Sequence, residues 1–275
     1  MRPNDLFDLS GRVVVVTGGA GLLGQRHGEA VAGAGGIPVL ADLRTDRLDP
    51  AHAGFAARFG PQASVVGVDI TDPRSVESLL QTVLGTYGRV DVLINNAANN
   101  PKMEPGSDVE FSRLESFPLA QWQADIAVGL TGSFLCSREI GAEMAKRGRG
   151  VIVNVASDLA LIGPDQRLYR KDGLAEDLQP VKPVTYSVVK SGLIGLTRYL
   201  ATYWASAGVR VNAISPGGVY TDQTEDFVQR LSSLIPMGRM ANVDEYAGAI
   251  LFLCSDASSY MTGANLVVDG GRTAW

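Results

Sequence analysis

"RVVVVTGGAGLLG", Arg12 to Gly24, passes from four consecutive valines through a glycine-rich turn into residues able to start a helix. A valine run without polar alternation suits a strand covered on both faces. Glycines just after such a strand let the backbone approach a pyrophosphate, whose charge then rests on the helix N-terminus. The spacing Gly18-x-x-Gly21-x-x-Gly24 therefore predicts strand, phosphate-cradling turn and helix. Outward from this stretch the same rhythm recurs: "IPVLAD" from 37, "ASVVGVD" from 63, "VDVLINNA" from 90, "GVIVNVAS" from 150, "VRVNAIS" from 209 and "ANLVVDGG" from 264, each separated from the next by a helix-compatible segment. Seven strands alternating with helices predict an α/β fold, a doubly wound parallel sheet with helices on both faces. No linker, repeat or low-complexity segment interrupts residues 1–275, which are read as a single domain.

In such sheets ligands bind beyond the carboxyl ends of the strands. Asp42 closes the second strand, eighteen positions past Gly24, where a carboxylate accepts hydrogen bonds from ribose hydroxyls and repels a 2′-phosphate. NAD is thereby favoured over NADP, with Arg44 nearby keeping NADP open. Asp69, after the third strand, is placed to meet adenine, and "NNAA" brings Asn95, Asn96, Ala97 and Ala98 to the crevice.

The totals narrow the partners. A 275-residue chain with 45% hydrophobic and 19% charged residues has the composition of a folded protein, not a disordered one. Net charge of -5 and a pI near 5.1 argue against nucleic acid, whose binders carry basic surfaces. Cys136 and Cys254 are the only cysteines, and no His/Cys cluster has metal-ligand spacing, so neither a disulfide framework nor a metal site is expected. The start of the chain lacks a signal-peptide core, and no apolar run reaches the ~18 residues that a membrane span needs. These features lead to the expectation of a cytoplasmic protein with a small-molecule partner.

"PVTYSVVKSG", 183 to 192, puts Tyr186 and Lys190 at i and i+4, on one helix face. Taken with "TGGAGLLG", Asp69, "NNAA", "VNVAS" ending at Ser157 and "NAISPGGVYT", this stretch resembles the short-chain dehydrogenase/reductase family from Gly11 to Gly271. The resemblance implies a Rossmann-like fold and a catalytic group of Ser157, Tyr186 and Lys190. It also implies a cofactor site formed by Gly18, Gly21, Leu22, Leu23, Gly24, Asp42, Leu43, Asp69, Ile70, Asn96, Ala97 and Ala98, completed by Tyr186, Lys190, Pro216, Gly217, Val219 and Thr221. In that reading Tyr186 exchanges a proton with the substrate hydroxyl, although a free phenol has a pKa of about 10. Neighbouring positive charge favours its phenolate. Ser157 holds the same oxygen, and Lys190 also binds the nicotinamide ribose.

Three departures from the family's pattern stand out. Its common glycine turn, TGxxxGxG, has Leu22 here at the middle glycine and Gly21 one step earlier. Gly129 occupies the place where many members carry an asparagine that anchors a relay water. Ser157 and Tyr186 lie 29 positions apart, where about a dozen is usual. The excess, "PDQRLYRKDGLAEDLQPVKP" at 164–183, lies beside the reacting centre and holds four basic and four acidic residues. Loops of this length inside a domain are functional or disordered. A polar substrate wall led by Arg167 and Arg170, a mobile lid and an oligomer contact are the three readings, with Asn99 in "NNPK" and Gly218 as further substrate-facing candidates.

The expected activity is interconversion of a secondary alcohol and a ketone with NAD, on a sugar or other polyhydroxylated substrate. "KPVTYSVVKSGLIGLTRYLATYW" is similar to members of sugar metabolism, including gluconate-type dehydrogenases and enzymes of surface-glycan pathways. The rivals are an NADPH-dependent 3-oxoacyl reductase and a non-catalytic NAD-binding protein. Excess apolar residues in the helices around 122–146 and 183–206, which pair subunits in the family, predict a homodimer or a homotetramer of two-fold symmetry.

Overall fold

Strands form at all seven predicted places: β1 (Val13–Thr17), β2 (Ile37–Asp42), β3 (Ser64–Gly67), β4 (Val92–Asn95), β5 (Gly150–Val155), β6 (Val209–Pro216) and β7 (Asn265–Val268). The computed structural model describes residues 3–48, 50, 51, 53–99 and 112–275. All pairings are parallel, in the order β3-β2-β1-β4-β5-β6-β7. The chain therefore winds outward from β1 to β3, returns to the other side of β1, and winds outward again. That reversal opens a crevice beyond Thr17 and Asn95, the switch point at which nucleotides bind in such sheets.

Burial explains why the central runs are apolar throughout. Val13 and Val15 pack into one core layer, Val14 and Val16 into the other, because successive strand side chains point to opposite faces. The first layer is closed by α3 (Pro73–Tyr87), α5 (Ser133–Lys146) and α6 (Val184–Trp204), through Leu79, Ile140, Leu200 and Trp204 among others. The second is closed by α1 (Leu22–Gly33), α2 (Ala53–Phe59) and α8 (Ala247–Cys254), through Val31, Phe59 and Leu253. Each such side chain removed from water stabilises the fold by roughly 1.5–3 kcal/mol.

Local signals set the helix ends. At the start of α3, Asp72 accepts a hydrogen bond from Arg74 N, Pro73 occupies the first turn, and Gly88 closes the helix in the left-handed conformation. Between α4 (Leu119–Ile126) and α5 the helix does not break. Ala127–Gly132 forms a π turn, which holds one residue more than an α turn. Gly129, the departure noted above, sits inside it. A Cβ there would lie 2.5 Å from Val189 Cγ1 on α6, so a side chain at the position would have to displace Val189.

Residues 164–183 form two short 3-10 turns, Gln166–Tyr169 and Glu176–Leu178. The segment rests on α7 (Glu225–Ser233): Leu168 joins Leu231, Ile235 and Met240 in a small core, Tyr169 meets the Phe227 ring, and Arg230 donates to the Arg167 and Arg170 carbonyls. No helix among the described residues is long and apolar enough to cross a membrane.

Candidate active site

Three elements converge beyond the carboxyl end of β5. Ser157 follows that strand, and Tyr186 and Lys190 lie on the first turns of α6. Position along α6 is fixed by a buried amide chain: Asn95 Nδ2 donates to Asn154 Oδ1 at 2.8 Å, and Asn154 Nδ2 donates to Thr197 Oγ1 at 2.8 Å. The first turn is fixed separately, by Thr185 Oγ1 donating to Asp125 Oδ2 of α4 at 2.5 Å. So held, Tyr186 Oη donates to Ser157 Oγ at 3.4 Å, and Lys190 Nζ donates to the Val155 carbonyl at 2.7 Å. The three residues selected from sequence are thus brought together, with Lys190 fixed in the strand-end carbonyl's field.

Electrostatics here are governed by burial. It raises the Tyr186 phenol above its ordinary value, with the Asp158 charge acting in the same direction and the Ser157 hydrogen bond opposing. It pushes Lys190 down to about 8, assisted by the neighbouring Lys182 ammonium. Lys182, from the closing end of the insert, is itself pushed down to about 8 by burial against the pull of Asp158.

Beyond Ser157 lies a pair that sequence reading missed. Ser157 Oγ donates to Asp158 Oδ1 at 2.8 Å, and Arg272 NH1 binds Asp158 Oδ2 at 2.6 Å. The two charged side chains are only 4% and 7% exposed. A buried pair of this kind fixes its neighbours' geometry because neither member tolerates loss of the other. Its one sequence signal was an ionisable residue directly after Ser157, and nothing local pointed to Arg272, 114 positions away.

On the nucleotide side, the glycine turn folds tightly on itself. Gly18 has φ of +64°, and a Cβ on Gly24 would lie 2.1 Å from the Gly18 carbonyl. Gly21 precedes α1, Leu22 is exposed at its first position, and Leu23 packs inward. Asp42 accepts from Ala20 N and Arg44 N, each at 2.9 Å, which holds its carboxylate against the turn. The Arg44 guanidinium instead pairs with Asp46, and Leu43 beside it is exposed. Asn96 Nδ2 donates to the Thr17 and Gly18 carbonyls, while the Asn96 and Ala97 amides donate to Thr17 Oγ1, so "NNAA" clasps the end of β4 to the end of β1. Asp69 accepts from Thr71, and Ile70 is buried against the π turn at Gly132.

At the far edge, Pro216 ends β6 and Gly217 N donates to the Val268 carbonyl. Val219 bridges to Ala241, and Thr221 Oγ1 accepts from Gln223. Gly218 faces Leu231 and Met240, which fill the space on that side. Ala98 and Asn99 line a cavity of about 10 Å³, wide enough for one water, together with Gly129, Asp125, Tyr186 and Lys190. Asn99 also donates to Asp125 Oδ1 at 3.3 Å. Residues 100–102 of "NNPK" lie outside the described residues.

The two arginines of the expected substrate wall stand elsewhere. Arg167 binds Asp165 and is 80% exposed. Arg170 binds Glu176, also at the surface. Each guanidinium is matched by an acid within its own loop, so neither turns toward Ser157 or Tyr186. The insert residues beside the tyrosine are Lys182 and Tyr169, the latter pushed up to about 12 mainly by burial.

Among the described residues no group of three or more His, Cys, Asp or Glu could hold a metal. Cys136 and Cys254 are buried free thiols, pushed up to about 12 by burial.

Comparison with known proteins agrees with this geometry. The family model described as short chain dehydrogenase matches residues 12–168, and one described as enoyl-(acyl carrier protein) reductase matches residues 174–273. The chain is 33% identical over 272 residues to D-threitol dehydrogenase of Mycolicibacterium smegmatis, covering 97% of this chain and 95% of that one. It is 32% identical over 273 residues to NAD-dependent glycerol dehydrogenase of Listeria innocua, covering 97% and 96%. The solved gluconate 5-dehydrogenase of Burkholderia cenocepacia, in complex with NADP and tartrate, superposes with a TM-score of 0.83 at 27% identity over the whole of both chains. With one matching model spanning more than half its length and a site assembled as that family's motifs require, the chain belongs to the short-chain dehydrogenase/reductase family.

Proposed function

We propose that the protein is an NAD-dependent dehydrogenase of polyols or sugar-derived secondary alcohols. The observation that carries this reading is the convergence of Ser157, Tyr186 and Lys190 at one end of a crevice whose other end is the glycine turn capped by Asp42. These residues fit a dinucleotide. The turn leaves no room for a side chain at Gly24, and the α1 N-terminus faces the crevice, as a pyrophosphate requires. The Asp42 carboxylate stands where it can receive ribose hydroxyls, and Arg44, the nearest cation able to meet a 2′-phosphate, is engaged with Asp46. A bound nicotinamide would supply the hydride acceptor.

The chain's own residues then handle the proton. Tyr186 Oη takes the proton of the substrate hydroxyl as the carbon–hydrogen bond breaks, and returns it in the reverse direction. Ser157 Oγ holds the reacting oxygen within reach of Tyr186, itself oriented by Asp158 and Arg272. Lys190 supplies positive charge that favours the phenolate against the effect of burial. A carbonyl and an alcohol are thereby interconverted.

Relatives acting on threitol and glycerol, and a structural neighbour that is a gluconate dehydrogenase, support a small polar substrate. A 31% identity over 267 residues to the 3-oxoacyl-[acyl-carrier-protein] reductase of Aquifex aeolicus favours a second reading, an NADPH-dependent 3-oxoacyl reductase, against which Asp42 weighs. The test is a spectrophotometric panel of tetritols, pentitols, hexitols and aldonates with NAD and with NADP, using Tyr186→Phe as control. We expect turnover with NAD, lost by about 10²–10⁴-fold in the phenylalanine variant while NAD affinity is retained. Turnover of 3-oxoacyl thioesters with NADPH alone would replace this reading by the second. We further propose a two-fold homo-oligomer built on α5 and α6, where Tyr199, Tyr203 and Phe134 are exposed.

A further inference from the structure

Two lysines, not one, approach the Tyr186 ring. Lys190 Nζ lies 5.8 Å from its centroid, and Lys182 Nζ lies over the ring face at 3.8 Å. The backbone around Lys182 is fixed: its amide donates to Gln166 Oε1 at 2.8 Å, tying the closing end of the insert to its beginning, and Pro183 follows as the N-cap of α6. One residue earlier, Val181 N donates to Ser112 Oγ at 3.1 Å. The ammonium is therefore delivered to the tyrosine by the same 164–183 segment whose arginines point to solvent.

We infer that Lys182 is a positioning residue for proton transfer, an ammonium supplied by the insert that favours the Tyr186 phenolate alongside Lys190. The inference rests on the reading of Tyr186 as the proton-transferring group. A cation on the ring face is drawn to the π-electrons of the neutral phenol. It is drawn more strongly to the phenolate, whose charge spreads into the ring. The other groups that act on the phenol pull in both directions. From the segment after β5 comes Asp158, which disfavours the phenolate, and from the end of the chain Arg272, which neutralises Asp158. Tyr169 of the insert and Tyr246, before α8, are phenols that burial keeps neutral. Asp125 of α4 lies across the small cavity, held by Thr185, Gln121 and Asn99. Of the groups facing Tyr186, the Ser157 hydrogen bond and Arg272 oppose burial, Lys182 and Lys190 are the cations set against the ring itself, and Lys190 is the farther of the two.

The experiment measures ionisation directly. The ultraviolet tyrosinate band is followed against pH in the wild-type enzyme, in Lys182→Met and in Lys182→Arg, each after subtraction of the same protein carrying Tyr186→Phe. Gain or loss of a charge within about 4–6 Å shifts a phenol by about 1–3 pH units. Lys182 is itself pushed down to about 8, below the range in which the phenol ionises, so we expect Lys182→Arg, which keeps its charge there, to lower the Tyr186 midpoint by at least about one unit, and Lys182→Met to leave it in place. Near pH 7, where Lys182 is charged, kcat should fall about tenfold in Lys182→Met and be kept in Lys182→Arg. An unmoved midpoint in folded Lys182→Arg overturns the inference, as does an unchanged kcat near pH 7 in folded Lys182→Met or a kinetic effect confined to KM. Should Lys182→Met not fold, Lys182→Gln carries the same measurement. NAD affinity serves as the folding control, and it should not change. Absence of turnover with every polyol would count against the proposed substrate class and leave the spectroscopic result standing, so the two failures are separable.

Discussion

The two ends of the crevice are built from different materials. At the nucleotide end, beyond β1, β2 and β4, the contacts are mostly backbone and space: Gly24 against the Gly18 carbonyl, the Asn96 amide on two main-chain oxygens, Asp42 on two main-chain amides. At the substrate end, beyond β5 and β6, they are buried ionisable side chains: Tyr186, Lys190, Lys182 and the Asp158–Arg272 pair. A site made of backbone is set by local spacing and hardly responds to pH. One made of buried charge depends on partners distant in sequence and is coupled throughout, because each group sets the others' proton affinity.

The largest effect that could break this contrast is at the buried pair. Arg272→Met leaves Asp158 buried and unpaired, and we expect a loss of about 3–5 kcal/mol in urea-induced unfolding. Replacing both members by apolar residues, Asp158→Leu with Arg272→Met, should recover most of that stability. It should not recover kcat, because Ser157 Oγ has then lost the acceptor that orients it. If activity returns along with stability, the pair is only a structural strut.

At the nucleotide end the expected change is smaller and concerns selectivity. Asp42→Ala removes the carboxylate proposed to meet the ribose, and NAD should bind about tenfold more weakly, the equivalent of ~1.4 kcal/mol, with discrimination against NADP relaxed. Isothermal titration with both dinucleotides checks this. Equal preference before and after the substitution would remove Asp42 from the ribose site and assign it to bracing the Ala20 turn alone.

The smallest effect is expected at the insert's surface. Arg167→Ala and Arg170→Ala each remove an exposed ion pair, and stability should change by no more than about 0.5 kcal/mol, with KM within about twofold of wild type. A substantial KM increase for either variant would restore the polar wall expected from composition and move the substrate boundary out to the loop surface.

This contrast also decides what the sequence could reveal. The strands and the glycine turn were legible because their signals are local: a valine run, a glycine spacing, a carboxylate at a strand end. Ser157, Tyr186 and Lys190 were legible only through the family's motifs, since nothing in a YxxxK spacing itself demands a shared site. Arg167 and Arg170 were chosen as the basic residues of a long polar loop, but charge count does not say which side of a loop faces inward. Their acids, Asp165 and Glu176, lie two and six residues away and take them at the surface. Lys182 also has acids five and six residues away, Asp177 and Glu176, yet the chain turns it inward, with Tyr169, beside Tyr186. Arg272 was illegible in principle: its partner lies 114 residues earlier and is found only when β7 is laid beside β6 and the chain after it returns to the end of β5.

The π turn at Ala127–Gly132 bears on how this helix is aligned with others. Counting forward from Leu119 and counting back from Lys146 assign different equivalents in an uninterrupted α-helix, because one residue has been taken up in the widened turn. Deleting a single residue there would restore α pitch and leave the flanking turns in place, because the widened turn is where the extra residue is taken up. Asp125 keeps its place beside the Thr185 hydroxyl, and the first turn of α6 its tether to α4, because the widened turn absorbs that residue. Residue-by-residue correspondence across this segment therefore has to be established in three dimensions, and a gap placed by sequence similarity alone would assign Asp125 and Gly129 to the wrong columns relative to one another.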